Sequence, residues 1–458
     1  MKSAAAASGI APGSLAGIVW PPLRGGEAAN LGALMYQLEQ TQWLPASAIA
    51  ERQHEQLAQV AAHAHAQSAY FRGRMRAAGL RPDQLSTLDG LRRLPLMCRR
   101  DIQSAGETLF CAEFPRAHAP ATVTRTSGSS GEPVVIKRTA VSHMMWLAMT
   151  LREHLWQKRD FDGTLAVIRA NLRADRTELA SWGPPASLLF ETGPSHGIRI
   201  TADLALQIDW LLSVDPDYLL VYPTTLDALI DRFEKRARRL VRLRQIRTMG
   251  ETLTSEIREA ARRVLGADIA DAYSSEEAGV IALQCPESAL YHIMAESLIV
   301  EVLDERDEAC PPGKVGRVVV TDLHNFATPL IRYELGDYAE MGETCPCGRG
   351  LPALKRIVGR QRNMVRLPDG RTFWPLVGFA RYREIAPIRQ YQLIQRDRDT
   401  VEVRLVSDAP LTVDQERRIG KVIDVALGHS FKLVFVYFPE QIPRGPGGKF
   451  EEFVCQLA

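Results

Sequence analysis

The stretch from Asp203 to Tyr273 leaves this chain few folds to choose from. A helical pattern over Asp203 to Leu212 is followed by Tyr218–Tyr222, a short apolar run of the buried-strand type. Pro223 and Thr224 open a helix predicted to continue to about Leu240. Gln245 to Met249 reads as a strand ended by Gly250, Thr254 to Leu265 as a helix with a Ser/Thr start, and Asp268 to Tyr273 as another strand. Strand–helix–strand units of this length imply a parallel sheet with helices on its faces. Ligands of such sheets sit beyond the carboxyl ends of the strands, which singles out Gly250-Glu251-Thr252 and Tyr273-Ser274-Ser275.

Upstream, Ser47 to Gly79 has helical spacing: Leu57, Val60, Ala61 and Ala64 recur on one face. His63 and His65, two apart, do not share a helix face and read as surface residues. From Leu298 the texture changes to two β-rich runs, LIVEVLD and VGRVVVTDL, joined by the turn-like Pro311-Pro312-Gly313. After Gly359 come a polar turn at Pro368-Asp369-Gly370, alternating Val401, Val403 and Leu405, a helix over about Thr412 to Leu427, and a last β run, Leu433 to Phe438. This predicts an α/β protein with a large N-terminal domain over 46–360 and a small α+β domain over 361–458, hinged near Arg360 to Met364. Residues 1–45 are expected to form a flexible leader, because their small-residue-rich start lacks the compact apolar core of a signal peptide.

At 458 residues the chain exceeds one ordinary domain. With 56 Lys and Arg against 54 Asp and Glu, a general nucleic-acid surface is not expected. The basic run from Arg232 to Arg247 reads as a solvated helix face followed by a strand. There is no run of 18 or more uncharged apolar residues, so no membrane span is expected and a cytoplasmic location is. Seven cysteines, two in a C-x-C, then favour metal binding over disulfides.

Residues 124–133, TRTSGSSGEP, combine two glycines with five hydroxyl side chains between strand-like flanks. Such a loop can wrap an anion with backbone N–H and side-chain O–H groups, and it differs from a Walker loop in not entering a helix. The segment resembles the phosphate loop of the adenylate-forming enzymes, and four further segments follow in that superfamily's order. Tyr273-Ser-Ser-Glu-Glu277 resembles its Tyr-Gly-x-Thr-Glu motif, and Arg332-Tyr-Glu-Leu-Gly-Asp337 its Tyr-x-Thr-Gly-Asp motif. Gly359-Arg360 resembles the start of the hinge motif, and PRGPGGK, ending at Lys449, the C-terminal lysine motif. PLIRYELGD followed by CPCGRGLP is most similar to the phenylacetate–CoA ligase and coenzyme F390 synthetase-like branch. The resemblance covers about residue 45 to the end.

The resemblance implies ATP-dependent activation of a carboxylic acid, with an aromatic acid expected. Thr126, Ser127, Gly128, Ser129, Ser130 and Gly131 would hold the β and γ phosphates. Gly250, Glu251, Ala272, Tyr273 and Ser274 would surround the purine, and Asp337 would accept hydrogen bonds from both ribose hydroxyls. Glu277 would help hold Mg²⁺, although Glu276, where the family has Thr or Ser, leaves open which carboxylate does so. Arg360 would contact ribose or phosphate and Arg362 would be the hinge residue. Lys449 would reach the α-phosphate and the substrate carboxylate. Trp182 and His196 fall where relatives line the acid site, and an aromatic acid could stack there. The acceptor would be the thiol of CoA, with an acyl carrier-protein thiol or an amine as alternatives, and a nucleotide-binding protein without catalysis as the reading from another class. If the Tyr273–Glu277 and Asp337 motifs converge, the segments following them should be neighbours, so that Cys285, His292, Cys345 and Cys347 form a closed tetrahedral site for a structural Zn²⁺.

Overall fold

The computed structural model describes residues 12–16, 18, 21–125, 133–236, 238–360, 363–375, 382, 384–445 and 450–457. Its body is built on a twelve-stranded mixed sheet. Five neighbouring strands are parallel, in the order Ser195–Arg199, Leu165–Arg169, Tyr218–Val221, Gln245–Met249 and Asp268–Ser275. The helices Leu204–Val214, Pro223–Glu234 and Ser255–Leu265 connect them. The Thr254 hydroxyl caps the last of these by accepting from the Ile257 amide, and Gly266 ends it in the left-handed region. The Val221 strand is buried along its length, as a strand covered on both faces must be.

The other half of the sheet is antiparallel. Leu298–Leu303 pairs with Val315–Asp322 across the Pro-Pro-Gly turn, and Val315–Asp322 with Tyr333–Met341. Tyr333–Met341 pairs in turn with Ala353–Arg360. The three-residue strand Tyr291–Ile293 joins that ribbon to Gly279–Gln284, which pairs with Asp268–Ser275. Beyond Arg360 lies a smaller four-stranded sheet covered by the helix Val413–Leu427. Val401, Val403 and Leu405 all point into its core, as their alternation predicts.

Three local expectations are corrected. The helix opened by Pro223 ends at Glu234 rather than near Leu240, so the basic run is mostly not a helix face. Several of its cations are paired instead: Lys235 with Asp231 at 3.1 Å, Arg236 with Asp209 at 2.8 Å, Arg244 with Asp160 at 2.9 Å, and Arg242 with Asp217. Arg247 is locked to the buried Glu153. The helix predicted over Ser47 to Gly79 is broken at Ser68, whose hydroxyl caps the second half through the Phe71 amide. Gly26–Thr41, expected in a loose leader, is a helix that buries Leu31 and Leu38 in the main core. Arg152 fastens it by donating to the Leu38 carbonyl at 2.7 Å.

Candidate active site

The site forms where the two halves of the sheet meet. Asp337 and Arg360 are direct cross-strand partners, so register alone sets their side chains against each other. The Arg360 Nε lies 3.0 Å from Asp337 Oδ1, and the Tyr273 hydroxyl donates to Asp337 Oδ2 at 2.8 Å. In the strand order, four spacings separate Tyr273's strand from Asp337's, roughly 19 Å in a flat sheet. The 333–360 ribbon must therefore curl back over the short strand between them. Register shifts at Tyr338/Ala339 and Glu340/Met341 supply the bend. Burial and the neighbouring carboxylate hold the Tyr273 phenol well above its ordinary range, so it stays a donor. The Asp337 charge raises Arg360 further, and that guanidinium stays cationic.

Both flanks of this trio are braced. Arg332 sits at φ 52, a strained conformation for a residue with a side chain. It is held there by Glu301 at 3.2 Å and by the Arg92 and Leu94 carbonyls. Gly359 has φ 143, which side-chain-bearing residues rarely adopt, and leads into Arg360 beneath the Trp374 ring.

Glu277 is buried and its Oε1 accepts from Arg99 at 3.2 Å, a contact absent from the sequence reading. Arg99 opens a short helix, and nothing in its local pattern marks it. Glu276 is exposed, and its carbonyl accepts from Arg138. Gly250, at φ 80, turns the chain sharply after its strand and aims Glu251 away from solvent. Glu251 Oε2 accepts from the Thr224 amide and hydroxyl at 3.0 and 2.7 Å, while Oε1 accepts from the Phe450 amide at 2.7 Å. Desolvation raises its pKa despite the nearby Arg444. Ala272 is buried and Ser274 half-buried on the strand that carries Tyr273. Thr126 to Gly131, Arg362 and Lys449 lie outside the described residues. The strands flanking the loop, Ala121–Arg125 and Val135–Thr139, form an antiparallel hairpin.

Trp182 and His196 lie elsewhere. Trp182 Nε1 donates to the Gly163 carbonyl at 2.8 Å, and its ring packs on Phe161 and Tyr218, all at the amino ends of the parallel strands. His196 is level with Ala166, Leu219, Ile246 and Ile269. Tyr273 is therefore about 13 Å farther along the strand direction and roughly 19 Å across it. Neither residue reaches the carboxyl-end site. What occupies the carboxyl ends is Arg169, Tyr222 and Met249, with the Arg169 Nη2 3.6 Å from Met249 Sδ. The signal was present in the Leu165–Arg169 run, an apolar strand ending on a charge.

Cys285, His292, Cys345 and Cys347 converge, their ligand atoms within 4.8 Å of one another. The Cys285 and Cys345 sulfurs are 3.7 Å apart, and Cys347 Sγ is 3.2 Å from His292 Nε2. Two thiolates bound to one tetrahedral zinc at about 2.3 Å would stand about 3.8 Å apart. His292 Nδ1 faces the Leu351 carbonyl at 3.3 Å, which turns Nε2 toward the sulfurs.

No family model matches the sequence. Over 449 residues the chain is 26% identical to the phenylacetate–coenzyme A ligase of Thermus thermophilus, covering 91% of this chain and 98% of that one. It is also 26% identical over 347 residues to the phenylacetate–coenzyme A ligase of Pseudomonas putida, covering 70% and 73%. A 2-hydroxyisobutyryl-CoA ligase bound to its acyl-adenylate matches with a TM-score of 0.71 at 20% identity, over 90% of each chain. The fold is that of the adenylate-forming CoA ligases. The chain is a homologue of the phenylacetate–coenzyme A ligases.

Proposed function

We propose that this protein is an AMP-forming acid–CoA ligase. A carboxylate oxygen of the acid attacks the α-phosphorus of ATP and pyrophosphate leaves. The CoA sulfur then attacks the acyl carbon, its proton is lost, and AMP leaves. The observation that carries this reading is the Asp337–Tyr273–Arg360 trio beside the carboxyl ends of the parallel strands. A carboxylate pinned on both oxygens presents its remaining lone pairs in fixed directions, as reception of two ribose hydroxyls requires. The homology to phenylacetate–coenzyme A ligases over nearly the whole chain supports the same reading.

In this proposal Arg360 neutralises charge near ribose and phosphate, and the 126–131 loop holds the outer phosphates. Glu277 suits a share in Mg²⁺: its carboxylate is buried, Arg99 orients it, and no other ion pair engages it among the described residues. Such an ion usually takes one or two carboxylates together with substrate phosphates. It would neutralise the departing pyrophosphate. The Cys/His cluster would hold a closed-shell structural zinc. Seven unpaired cysteines suit a cytoplasmic setting, where thiols stay reduced.

The test is acid-dependent exchange of labelled pyrophosphate into ATP across a panel of acids, followed by trials of CoA, carrier-protein thiol and amine as acceptor. Exchange with an acid and thioester release with CoA are expected. Absence of exchange with every acid would overturn the reading. Lys449→Ala should abolish most exchange, since one charge contact made in the transition state is worth about 3 kcal/mol.

A further inference from the structure

Arg169 has no work in the scheme above, and its surroundings are unusual. It ends the strand Leu165–Arg169 at the carboxyl edge of the sheet. Its guanidinium reaches back over the next strand toward Met249, the last residue of the strand beside Tyr273's own. There it lies about one strand spacing, roughly 5 Å, from the strand that carries Tyr273.

A guanidinium carries five N–H donors. Among the described residues no carboxylate lies within ion-pair distance of this one. Its acceptor among the described residues is the Met249 thioether at 3.6 Å, a weak one, with the Tyr222 side chain close by. The Glu276 carboxylate acts on it only from farther away, and Arg247 opposes it with a like charge. Desolvation pulls its pKa below the ordinary arginine range. Arg169 is half-buried, and drawing a cation even partly out of water without an anionic partner is unfavourable. Arginines elsewhere in this body show the contrast: Arg159, Arg247 and Arg332 are each matched to Glu153 or Glu301.

Resting on the ligase reading, we infer that Arg169 is the anion receptor of the acid subsite, pairing with a carboxylate oxygen of the acid substrate. The subsite is bounded by Tyr222 and Met249 at the carboxyl ends, in place of the amino-end Trp182 and His196. Two sources supply such an oxygen: the reacting carboxylate, or a second carboxylate on the acid. Either gives the acid pocket a polar end that a purely apolar acid does not fill.

The experiment is pyrophosphate exchange with matched acids, each monocarboxylic acid set beside its dicarboxylic analogue, using wild type, Arg169→Met and Arg169→Lys. Arg169→Met should raise the KM of the best acid about 10- to 100-fold, with the KM of ATP within about threefold of wild type. Arg169→Lys should recover part of the loss. If wild type prefers the dicarboxylic analogue and Arg169→Met erases that preference, the second carboxylate is the partner. If Arg169→Met weakens all acids alike, the reacting carboxylate is. Unchanged acid KM in a folded Arg169→Met, or a rise confined to ATP, overturns the inference. Absence of exchange in wild type would instead count against the ligase reading itself.

Discussion

The Glu251 carboxylate accepts a hydrogen bond from the Phe450 amide at 2.7 Å, across 199 residues of chain. Glu251 belongs to the large body and Phe450 immediately follows Lys449. The same carboxylate takes the amide and hydroxyl of Thr224 at the start of the helix Pro223–Glu234, where a negative charge is favoured by the helix dipole. Arg444, in the same Gly/Pro-rich segment, donates to the Thr225 hydroxyl at 3.1 Å. Glu251 thus fastens the C-terminal segment to the body, a task different from lining the purine. Glu251→Ala should slow pyrophosphate exchange about 10- to 100-fold, because small misplacement of a reacting-site charge has effects of that size. The KM of ATP should hardly move, and thioester formation from supplied acyl-adenylate should lose much less. Equal losses in both half-reactions, or a selective rise in the KM of ATP, would restore the purine-lining role.

Asp337 gives a graded series. Asp337→Ala removes both acceptors and leaves the Arg360 cation without its anion, so ATP affinity should fall at least tenfold. Asp337→Asn keeps the shape and one acceptor and should be milder. Tyr273→Phe keeps the ring and deletes only the donor to Oδ2, so its effect should be smaller again. Calorimetric titration with ATP orders the three, and wild-type affinity in Asp337→Ala would remove Asp337 from the nucleotide site.

The core of this site was legible because it rests on short-range rules. Strand ends mark the carboxyl edge, so local pattern and motif order singled out Tyr273, Gly250 and Asp337, and the fold brings Tyr273 and Asp337 into contact. Glu251 was singled out by the same rule, but its bond to the Phe450 amide was not, because that partner is 199 residues away in sequence. Arg99 was invisible because its partner Glu277 lies 178 residues away in the same body. Trp182 and His196 differ: sequence position put them near the parallel strands but did not say at which end, and the strand direction decides that over about 13 Å. Past the early helix end at Glu234 the cations are placed by tertiary pairing: Arg236 meets Asp209 of the preceding helix, and Arg242 and Arg244 meet Asp217 and Asp160 in loops.

Asp322 yields a pH prediction. It is buried, and its Oδ1 accepts from the His324 and Asn325 amides at 2.8 and 3.1 Å. Burial pushes its pKa up from 3.8 to about 6, against the pull of those amides and Arg138. The folded state therefore holds this proton more tightly than the unfolded chain. The contribution of Asp322 is best below pH 4, declines as pH rises through about 6, and is flat above. Asp322→Asn keeps an acceptor without the charge and should be more stable than wild type at pH 8, by about 1–3 kcal/mol, and equal to it near pH 4. Urea unfolding at the two pH values measures this, and a destabilised Asn variant at pH 8 would show that the charge itself is required.

The Cys/His cluster makes the last prediction. Cys285 follows the strand Gly279–Gln284, His292 lies on Tyr291–Ile293, and Cys345 and Cys347 sit between Tyr333–Met341 and Ala353–Arg360. One ion there would clamp the short middle strand to the ribbon that curls back to present Asp337. Three thiols and one imidazole fill all four positions of a tetrahedral zinc, which leaves none open for substrate and makes the role structural. The purified protein should carry about one zinc per chain by metal analysis. Cys345→Ser should lower zinc content and melting temperature together, while pyrophosphate exchange per folded molecule stays near wild type at low temperature. A strong chelator should reproduce the loss of stability in wild type and add little in Cys345→Ser, because the site it empties is already weakened. Protein purified without chelator and free of zinc, with a melting temperature indifferent to both treatments, would leave His292 as an edge-on packing partner of Trp156 and the three cysteines as ordinary thiols.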